Sequence, residues 1–506
     1  MIELDGHSLT LGQLVSIADD FSEAGLTPGA RAQVAAARRV VDEFAQHDAP
    51  TYGINTGFGS FAEVKIPADS LGQLQVNLLR SHAAGVGEPL PERVVRAAMA
   101  LRANVLAKGF SGIRVETLEL LIALLNRRVH PVVPSRGSVG ASGDLAPLAH
   151  LALVLIGEGE AWTHGQATRE RGADALARAG LAPATLAPKE GLALINGTQM
   201  STALLGLTLD GCERLARAAD IAAALSIDGL QGSSHPFDAR IHAARGFAGQ
   251  SASAANLRAL LDGSGINAAH ANCGRVQDAY SMRCAPQVHG AARDAFGFAA
   301  RVFDTEANAA TDNPMVFADA REILSGGNFH GAPVAIACDL ICVALAHIAT
   351  ISERRCERLV NPALSGLPAF LTRHGGLESG LMMAQVTAAA LTSELKTLAH
   401  PASVDTIPTS AGKEDHVSMS MGAGLKAAAA LERARQVLAV ELLCASQAID
   451  LLKPLASSPP LARVHDFIRA RVPELEHDRP TSPDLAVITE LIASGALERA
   501  CGMKVN

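Results

Sequence analysis

The sequence predicts a mainly α-helical protein whose framework is a bundle of long helices. Three observations carry this. Residues 198–228 keep a helical period with very few breakers. Two further segments do the same: 331–361 places Ile336, Leu340, Val343, His347, Ile348 and Ile351 at helical spacing until Pro362, and 423–452 places Leu431, Leu438, Leu442, Cys444 and Ile449 until Pro454. No strand–helix–strand rhythm, internal repeat or low-complexity tail runs along the chain. Helices near thirty residues exceed the usual globular length of roughly 8 to 20, so several of them imply a long bundle. Their Ala-rich bands suggest helices buried between subunits.

Composition narrows the function class. The chain has 506 residues, 48% of them hydrophobic and 19% charged, with net charge −8, which sets disorder aside. The absence of a long basic block argues against nucleic acid as the main partner. The start, Met-Ile-Glu-Leu-Asp-Gly, is acidic and is not read as a signal peptide. The apolar run Ala146 to Ile156 is too short to span a bilayer, so a cytoplasmic location with no membrane partner is expected. The eight cysteines, Cys212, Cys273, Cys284, Cys338, Cys342, Cys356, Cys444 and Cys501, form no Cys-x-x-Cys pair and read as reduced core thiols, with no metal site. Only two tyrosines, Tyr52 and Tyr280, and one tryptophan, Trp162, occur. A core built from Ala, Leu, Val and Ile leaves those tyrosines as something other than filler.

Taken in order, residues 1–48 read as a short strand or loop and then a helix from Pro28 to His47. Residues 50–60, with three glycines around Tyr52, read as a loop. Helices follow over 70–83, 89–108 and 115–128, the first ending in Ser81-His82, where a histidine suits the helix dipole. Pro131 and Pro134 then break the chain, and residues 168–188 read as a surface excursion. Asn196-Gly197 is a cap or turn signal before the first long helix. The domain boundary is placed there, giving an N-terminal domain over 1–196 and a long-helix bundle domain over 197–506.

The chain is organised around residues 137–150, Gly-Ser-Val-Gly-Ala-Ser-Gly-Asp-Leu-Ala-Pro-Leu-Ala-His. Alone, this stretch has four readings. It resembles a glycine-rich phosphate loop, but no βαβ unit surrounds it. A serine nucleophile elbow needs glycine where Asp144 stands. A plain helix start would use Ser142 or Asp144 as N-cap. The fourth reading is chemical: the Gly143 nitrogen attacks the Ala141 carbonyl carbon, and loss of water there and from Ser142 leaves 4-methylidene-imidazole-5-one (MIO). Glycine suits the third position because a bare α-carbon permits the close approach.

Four further segments carry chemistry-bearing residues. Gln277, Tyr280 and Arg283 are three apart, so a helix would align an amide, a phenol and a guanidinium. Thr311-Asp312-Asn313-Pro314 is a turn signal, Gly326-Gly327-Asn328-Phe329 presents one aromatic from a loop, and Glu414-Asp415-His416 clusters charge before the last long helix. Together with the central stretch, and in the same order over essentially the whole chain, they resemble the aromatic amino acid ammonia-lyases, which act on histidine, phenylalanine or tyrosine. Ser81-His82 and Glu414 are similar to the histidine-specific members. Tyrosine lyases have His-Leu at the first place and many phenylalanine lyases Phe-Leu, and both have glutamine at the second. A carboxylate and a histidine suit an imidazole, which both donates and accepts hydrogen bonds, and mismatch a phenyl ring. One departure is Gly412-Lys413, where many bacterial histidine lyases have Asn-Gln, so Lys413 is expected to pair with Glu414 or alter its charge.

The resemblance implies a mainly helical, fumarase/aspartase-like architecture and a homotetramer with active sites shared between subunits. It implies MIO made from Ala141, Ser142 and Gly143 with no external cofactor, and elimination of ammonia from L-histidine to trans-urocanate as the first step of histidine degradation. Tyr52 would be the base for the β-proton and Tyr280 would steer protons beside the MIO. Arg283 would clamp the carboxylate, and Asn196 and Gln277 would position the amine, the carboxylate or the cofactor carbonyl. Phe329 would pack on the ring, and His82 and Glu414 would read the imidazole. Attack on the methylene by the amine or by the ring remains open. The alternatives are a tyrosine or phenylalanine lyase or an aminomutase with the same prosthetic group, a fumarase-type lyase, whose Gly-Ser-Ser loop is missing here, and a non-enzymatic helical scaffold.

Overall fold

The computed structural model describes residues 1–163, 168–271 and 274–506, the Ser60 side chain excepted. It is mainly α-helical, with short strands in pairs or threes. The chain forms two compact units. The first comprises Met1–Leu207, Ala300–Asp339 and Pro401–Leu425, the second Thr208–Ala299, Leu340–His400 and Lys426–Asn506. The units interleave along the chain, unlike the single cut at 196/197 drawn from the sequence.

The first unit is built on helix Glu92–Ala107, which is buried from Val94 to its end and packs against helices Leu11–Asp19, Pro28–Phe44 and Val115–Asn126. Two arginines are buried in it because carbonyls occupy their forks. Arg96 donates to Ile17 O and Leu125 O, and Arg102 donates to Asn196 O at 2.8 Å. Helix Leu11–Asp19 starts on a capping box between Thr10 and Gln13, a signal the sequence reading passed over. Pro28 opens the next helix behind a Thr27 cap, and that helix ends at Phe44. The stretch 168–188 is more than a surface excursion: it contains strand Glu170–Arg171 and helix Gly172–Arg178, which buries Ala175 and Leu176 fully. That strand completes a three-stranded antiparallel sheet with Val129–Pro131 and Glu160–Thr163.

The long helices occur as the periodicity predicts, over Gln199–Gly229, Ala332–Val360 and Ser420–Leu451. In the second unit a buried ion pair ties the three together. Arg355 Nη2 lies 2.9 Å from Glu441 Oε2, and the Ser226 hydroxyl donates to Glu441 Oε1 at 2.7 Å. Both charged side chains are 0% exposed, so each depends on the other for its solvation. Asp220 is equally buried and is satisfied by Ser253, Asn256, His289 and Arg293. Seven cysteines are free thiols, and Cys273 lies outside the described residues. Helix Ala332–Val360 is long and apolar enough to cross a bilayer by length and composition, but most of its apolar stretch is buried in protein. Among the described residues no cluster of His, Cys, Asp and Glu is placed to hold a metal ion.

Candidate active site

Three mutually packed helices of the first unit bring their ends to one place. Leu71–His82 ends on His82, Leu145–Leu155 begins just after Ser142, and Glu190–Ile195 ends at Asn196. There they border a cavity of about 600 Å³ lined by Tyr52, His82, Ser142, Asn196 and Glu414, with Phe58, Leu145, Leu192 and Ile195 among its apolar walls. A larger cleft, about 920 Å³, lies in the second unit among Asp238, Arg240, Arg258 and Asp262. The smaller cavity is the candidate, because a phenol, an imidazole, a hydroxyl, an amide and a carboxylate converge there on an apolar background.

The Ala141-Ser142-Gly143 turn is clamped from behind. Gly143 has φ +74° and pairs in parallel with Gly197, and the next residue, Asp144, donates its N–H to Gly197 O at 2.7 Å. A Cβ on Gly143 would lie 2.2 Å from that carbonyl oxygen, so only glycine fits. Gly197 is confined likewise: φ is +149°, and a Cβ would meet Arg102 Nη1 at 2.5 Å. On the other side Met419 donates to Val139 O at 2.9 Å and the Ser418 hydroxyl to Gly140 O at 3.2 Å. Asn196 Nδ2 donates to Ser142 O at 3.3 Å, while its buried Oδ1 takes no hydrogen bond among the described residues.

Asp144 stands at the N-cap position the sequence suggests, but its side chain caps another helix. Its Oδ2 accepts the Ser201 N–H at 2.8 Å and the Ser201 hydroxyl at 2.9 Å, at the start of Gln199–Gly229. Burial pushes this carboxyl up to about 6, against the Ser201 bonds.

Three titratable groups face the cavity. Glu414 accepts the Ser142 hydroxyl on Oε1 at 2.8 Å, and the Thr409 and Ser410 hydroxyls on Oε2 at 2.8 and 2.6 Å. Burial raises its pKa, but those hydroxyls and the nearby His82 outweigh it, so the carboxyl lies below its ordinary value. Lys413, expected as a partner, is exposed and is not among the groups holding this carboxylate. His82 is pushed down by burial, against the Leu78 carbonyl and Glu414. Tyr52 is pushed up by burial and by the Glu414 charge, while the Gly59 N–H works the other way.

The cavity thus unites Tyr52, His82, Ser142, Asn196 and Glu414. Phe329 belongs to the same unit, half-buried in the loop after strand Glu322–Leu324, and is not a lining residue. Gln277, Tyr280 and Arg283 belong to the second unit. They do not share one helix face as the spacing suggests, because the helical turn covers only Tyr280–Arg283. Asp278 accepts the Ser233 N–H and an Arg275 N–H on its carboxylate, just before that turn. Gln277 and Arg283 line a separate cleft of about 340 Å³, and the Arg283 guanidinium sits 4.6 Å from the Tyr280 ring centre. Sequence reasoning passed over Thr409, Ser410, Asp144 as a clamp, and the buried Arg102–Gln199–Thr311 chain under Asn196. The one local signal was a pair of hydroxyl residues four and five before Glu414.

The chain resembles known proteins over its full length. It is 57% identical over 502 residues to a histidine ammonia-lyase of Anaeromyxobacter sp. (strain K), covering 98% of this chain and 99% of that one. Among solved structures, histidine ammonia-lyase from Trypanosoma cruzi superposes with TM-score 0.92 at 44% identity, covering 99% of this chain and 95% of that one. Tyrosine aminomutase from Streptomyces globisporus superposes with TM-score 0.94 at 36% identity over 100% of both chains. A family model described as aromatic amino acid lyase matches residues 9–470, so the chain belongs to the aromatic amino acid lyase family.

Proposed function

We propose that this chain eliminates ammonia non-oxidatively from L-histidine, giving trans-urocanate, the first step of histidine degradation. The observation that carries the reading is the convergence of His82, Glu414 and Ser142 in one cavity. A neutral imidazole and a carboxylate suit a substrate ring with polar edges, and would be left unpaired by a phenyl ring. That disfavours the tyrosine and phenylalanine lyase and aminomutase readings. The 57% identical relative named histidine ammonia-lyase supports the same choice.

The prosthetic group implied is MIO, formed from Ala141, Ser142 and Gly143 without an external cofactor. The residues present fit it. Gly143 lies where no side chain is tolerated, the Ser142 hydroxyl that must leave faces Glu414, and the unpartnered Asn196 amide oxygen waits beside the turn. Once formed, the group would supply an electrophilic methylene that takes the substrate amine, or in the competing mechanism the ring, and eases departure of ammonia. Asn196 would hold the carbonyl of residue 142 and orient the amine. Tyr52 would take the β-proton. Among the described residues no cation acts on Tyr52, and Glu414 raises it, so its activation depends on positive charge arriving with substrate and with Arg283. Arg283 would clamp the carboxylate, Gln277 would position it, Tyr280 would steer protons, and Phe329 would pack on the ring.

Gln277, Tyr280 and Arg283 we assign to a neighbouring copy in a cytoplasmic homotetramer with shared sites. Tyr280 stands 71% exposed and Val276 96%, apolar surface of the kind that partner subunits cover. Intact mass and ultraviolet assay test the whole reading. Ring closure loses two waters, a deficit of roughly 36 Da mapped to residues 141–143, and histidine should yield urocanate. A deficit without urocanate would move the substrate to another aromatic amino acid. Folded, histidine-inactive protein without the deficit would sink the reading.

A further inference from the structure

His82 and Glu414 were expected to offer the substrate ring one donor and one acceptor. The hydrogen bonds give a different result. His82 Nδ1 lies 2.9 Å from the Leu78 carbonyl oxygen, which only accepts, so Nδ1 carries the proton. The Ser81 hydroxyl donates to the same carbonyl at 3.1 Å and lies 3.1 Å from Nδ1, which consolidates that tautomer. Nε2 has no hydrogen-bond partner among the described residues and, on a neutral ring, presents a lone pair. On Glu414 every partner is a hydroxyl donor: Thr409 and Ser410 on Oε2, Ser142 on Oε1. Dehydration of Ser142 removes the donor on Oε1 and leaves that oxygen open to a ligand. The mature pocket therefore offers two acceptors. A neutral imidazole brings one N–H and one lone pair, so one of its nitrogens would face an acceptor without a proton between them. An imidazolium brings two N–H groups.

Resting on the histidine reading above, we propose that the site binds its substrate's side chain as the imidazolium, with one ring N–H donated to Glu414 Oε1 and the other to His82 Nε2. Leu78, through its carbonyl, and Thr409 and Ser410, through their hydroxyls, are then positioning residues that fix which atoms recognise the ring. The burial of His82 acts in the same direction, because it keeps this imidazole neutral and leaves the proton to the ligand beside the carboxylate. A positively charged ring also withdraws electrons from the adjacent β-carbon, which makes the proton that must be removed more acidic.

The titratable groups lining the cavity are Tyr52, His82 and Glu414, with Asp144 behind the turn. Glu414 and His82 are lowered and Tyr52 is raised, each away from the range between pH 7 and about 9, and Asp144 lies at about 6. Proton linkage in that window is therefore assigned to the ligand. A free imidazole has a pKa of about 6.5, so a pocket that takes only the protonated ring should lose affinity by about tenfold per pH unit above it.

The probe is ring-¹⁵N-labelled 3-(imidazol-4-yl)propanoate, which lacks the amine and does not react, bound to the intact enzyme. At pH 8 the bound ligand should show two protonated nitrogens, and its Kd should rise about tenfold per unit from pH 7 to 9. Glu414→Gln removes the anionic acceptor, and in that variant the bound ring should be neutral and the pH dependence flat. One pyridine-type and one pyrrole-type nitrogen in the wild-type complex at pH 8, including the case where His82 takes the proton, overturns the proposal but leaves the histidine reading intact. Absence of binding at every pH from 6 to 9 in enzyme that still converts histidine to urocanate overturns the proposal alone; absence of both binding and urocanate removes the histidine reading with it.

Discussion

Replacing Gly143 by alanine tests whether the Ala-Ser-Gly turn is shaped by its contact with Gly197. The new Cβ would sit 2.2 Å from Gly197 O and 2.4 Å from its carbonyl carbon, both backbone atoms that cannot rotate away. A left-handed φ of +74° costs an alanine about 1–2 kcal/mol. Relief of the clash by backbone movement costs about 1–3 kcal/mol more. Losing the Asp144 N–H to Gly197 O bond adds about 1 kcal/mol. The sum, about 3–6 kcal/mol, is comparable with the lower end of whole-domain stability, about 5–15 kcal/mol. Opening the turn locally is the cheaper outcome, so the variant should remain helical but fail to close its ring. Intact mass and a digest of residues 137–150 would read the missing deficit, with circular dichroism and Tm alongside. Gly12→Ala is the control: nothing lies within 4 Å of its Cβ, and as a helical site it should gain slightly in stability. A Gly143→Ala protein with the full mass deficit and an unchanged Tm would refute the reasoning.

Further outcomes follow from the same geometry. Glu414→Gln should cut kcat/KM for histidine by about ten- to hundredfold, the loss of a hydrogen bond to a charged group worth about 1.5–3 kcal/mol, with Tm little changed; unaltered turnover would remove Glu414 from ring recognition. Tyr52→Phe should keep the mass deficit and lower kcat by about 10²–10⁴, read by urocanate absorbance; near-wild-type kcat would assign the base elsewhere. Arg355→Met strands Glu441 in the core and should cost about 3–5 kcal/mol in denaturant unfolding, whereas the double change with Glu441→Leu should recover most of it. Asp144 has its folded pKa raised, to about 6, so its stabilising contribution is complete below the ordinary 3.8 and is lost as pH rises through about 6. Relative to wild type, Asp144→Asn should therefore lose about 2–3 kcal/mol between pH 7 and pH 4, and parallel stability curves would count against this assignment.

What was legible in the sequence was whatever repeats or whatever is chemically rare. The three longest helices announced themselves by period, because a face that recurs every 3.6 residues over thirty positions matches a helix and no other regular structure. The rarity of tyrosine in an aliphatic chain pointed to Tyr52, which lines the cavity, and to Tyr280, which belongs to the other unit. Apart from the short strand read at the start of the chain, found at Ile2–Leu4, the three-residue strands were invisible, because a period of two cannot declare itself in three positions. Gln277 and Arg283 were placed on one helix by spacing alone, but the helical turn begins only at Tyr280, and spacing carries no information on where a helix starts. Asp144 showed correct position and wrong partner: N-cap propensity is local, while the N–H it accepts comes from Ser201. The hydroxyls on Glu414 and the carbonyl on His82 were beyond reach for the same reason, since only the fold decides which lone pairs are already taken.

The electrostatics of Tyr52 link recognition to chemistry. Burial and the Glu414 charge both hold its proton on, which is the wrong direction for a base. On the proposed reading, substrate would reverse the second of these. A cationic ring against Glu414 would compensate the negative charge that raises Tyr52, and the reaction's own ammonium would add positive charge to the same cavity. A ligand of the same shape that cannot become cationic would fill the pocket yet leave the phenol protonated. Histidine analogues with a fluorinated ring of much lower basicity should therefore lose kcat as well as affinity. If recognition and base activation were separate, such analogues would lose affinity alone.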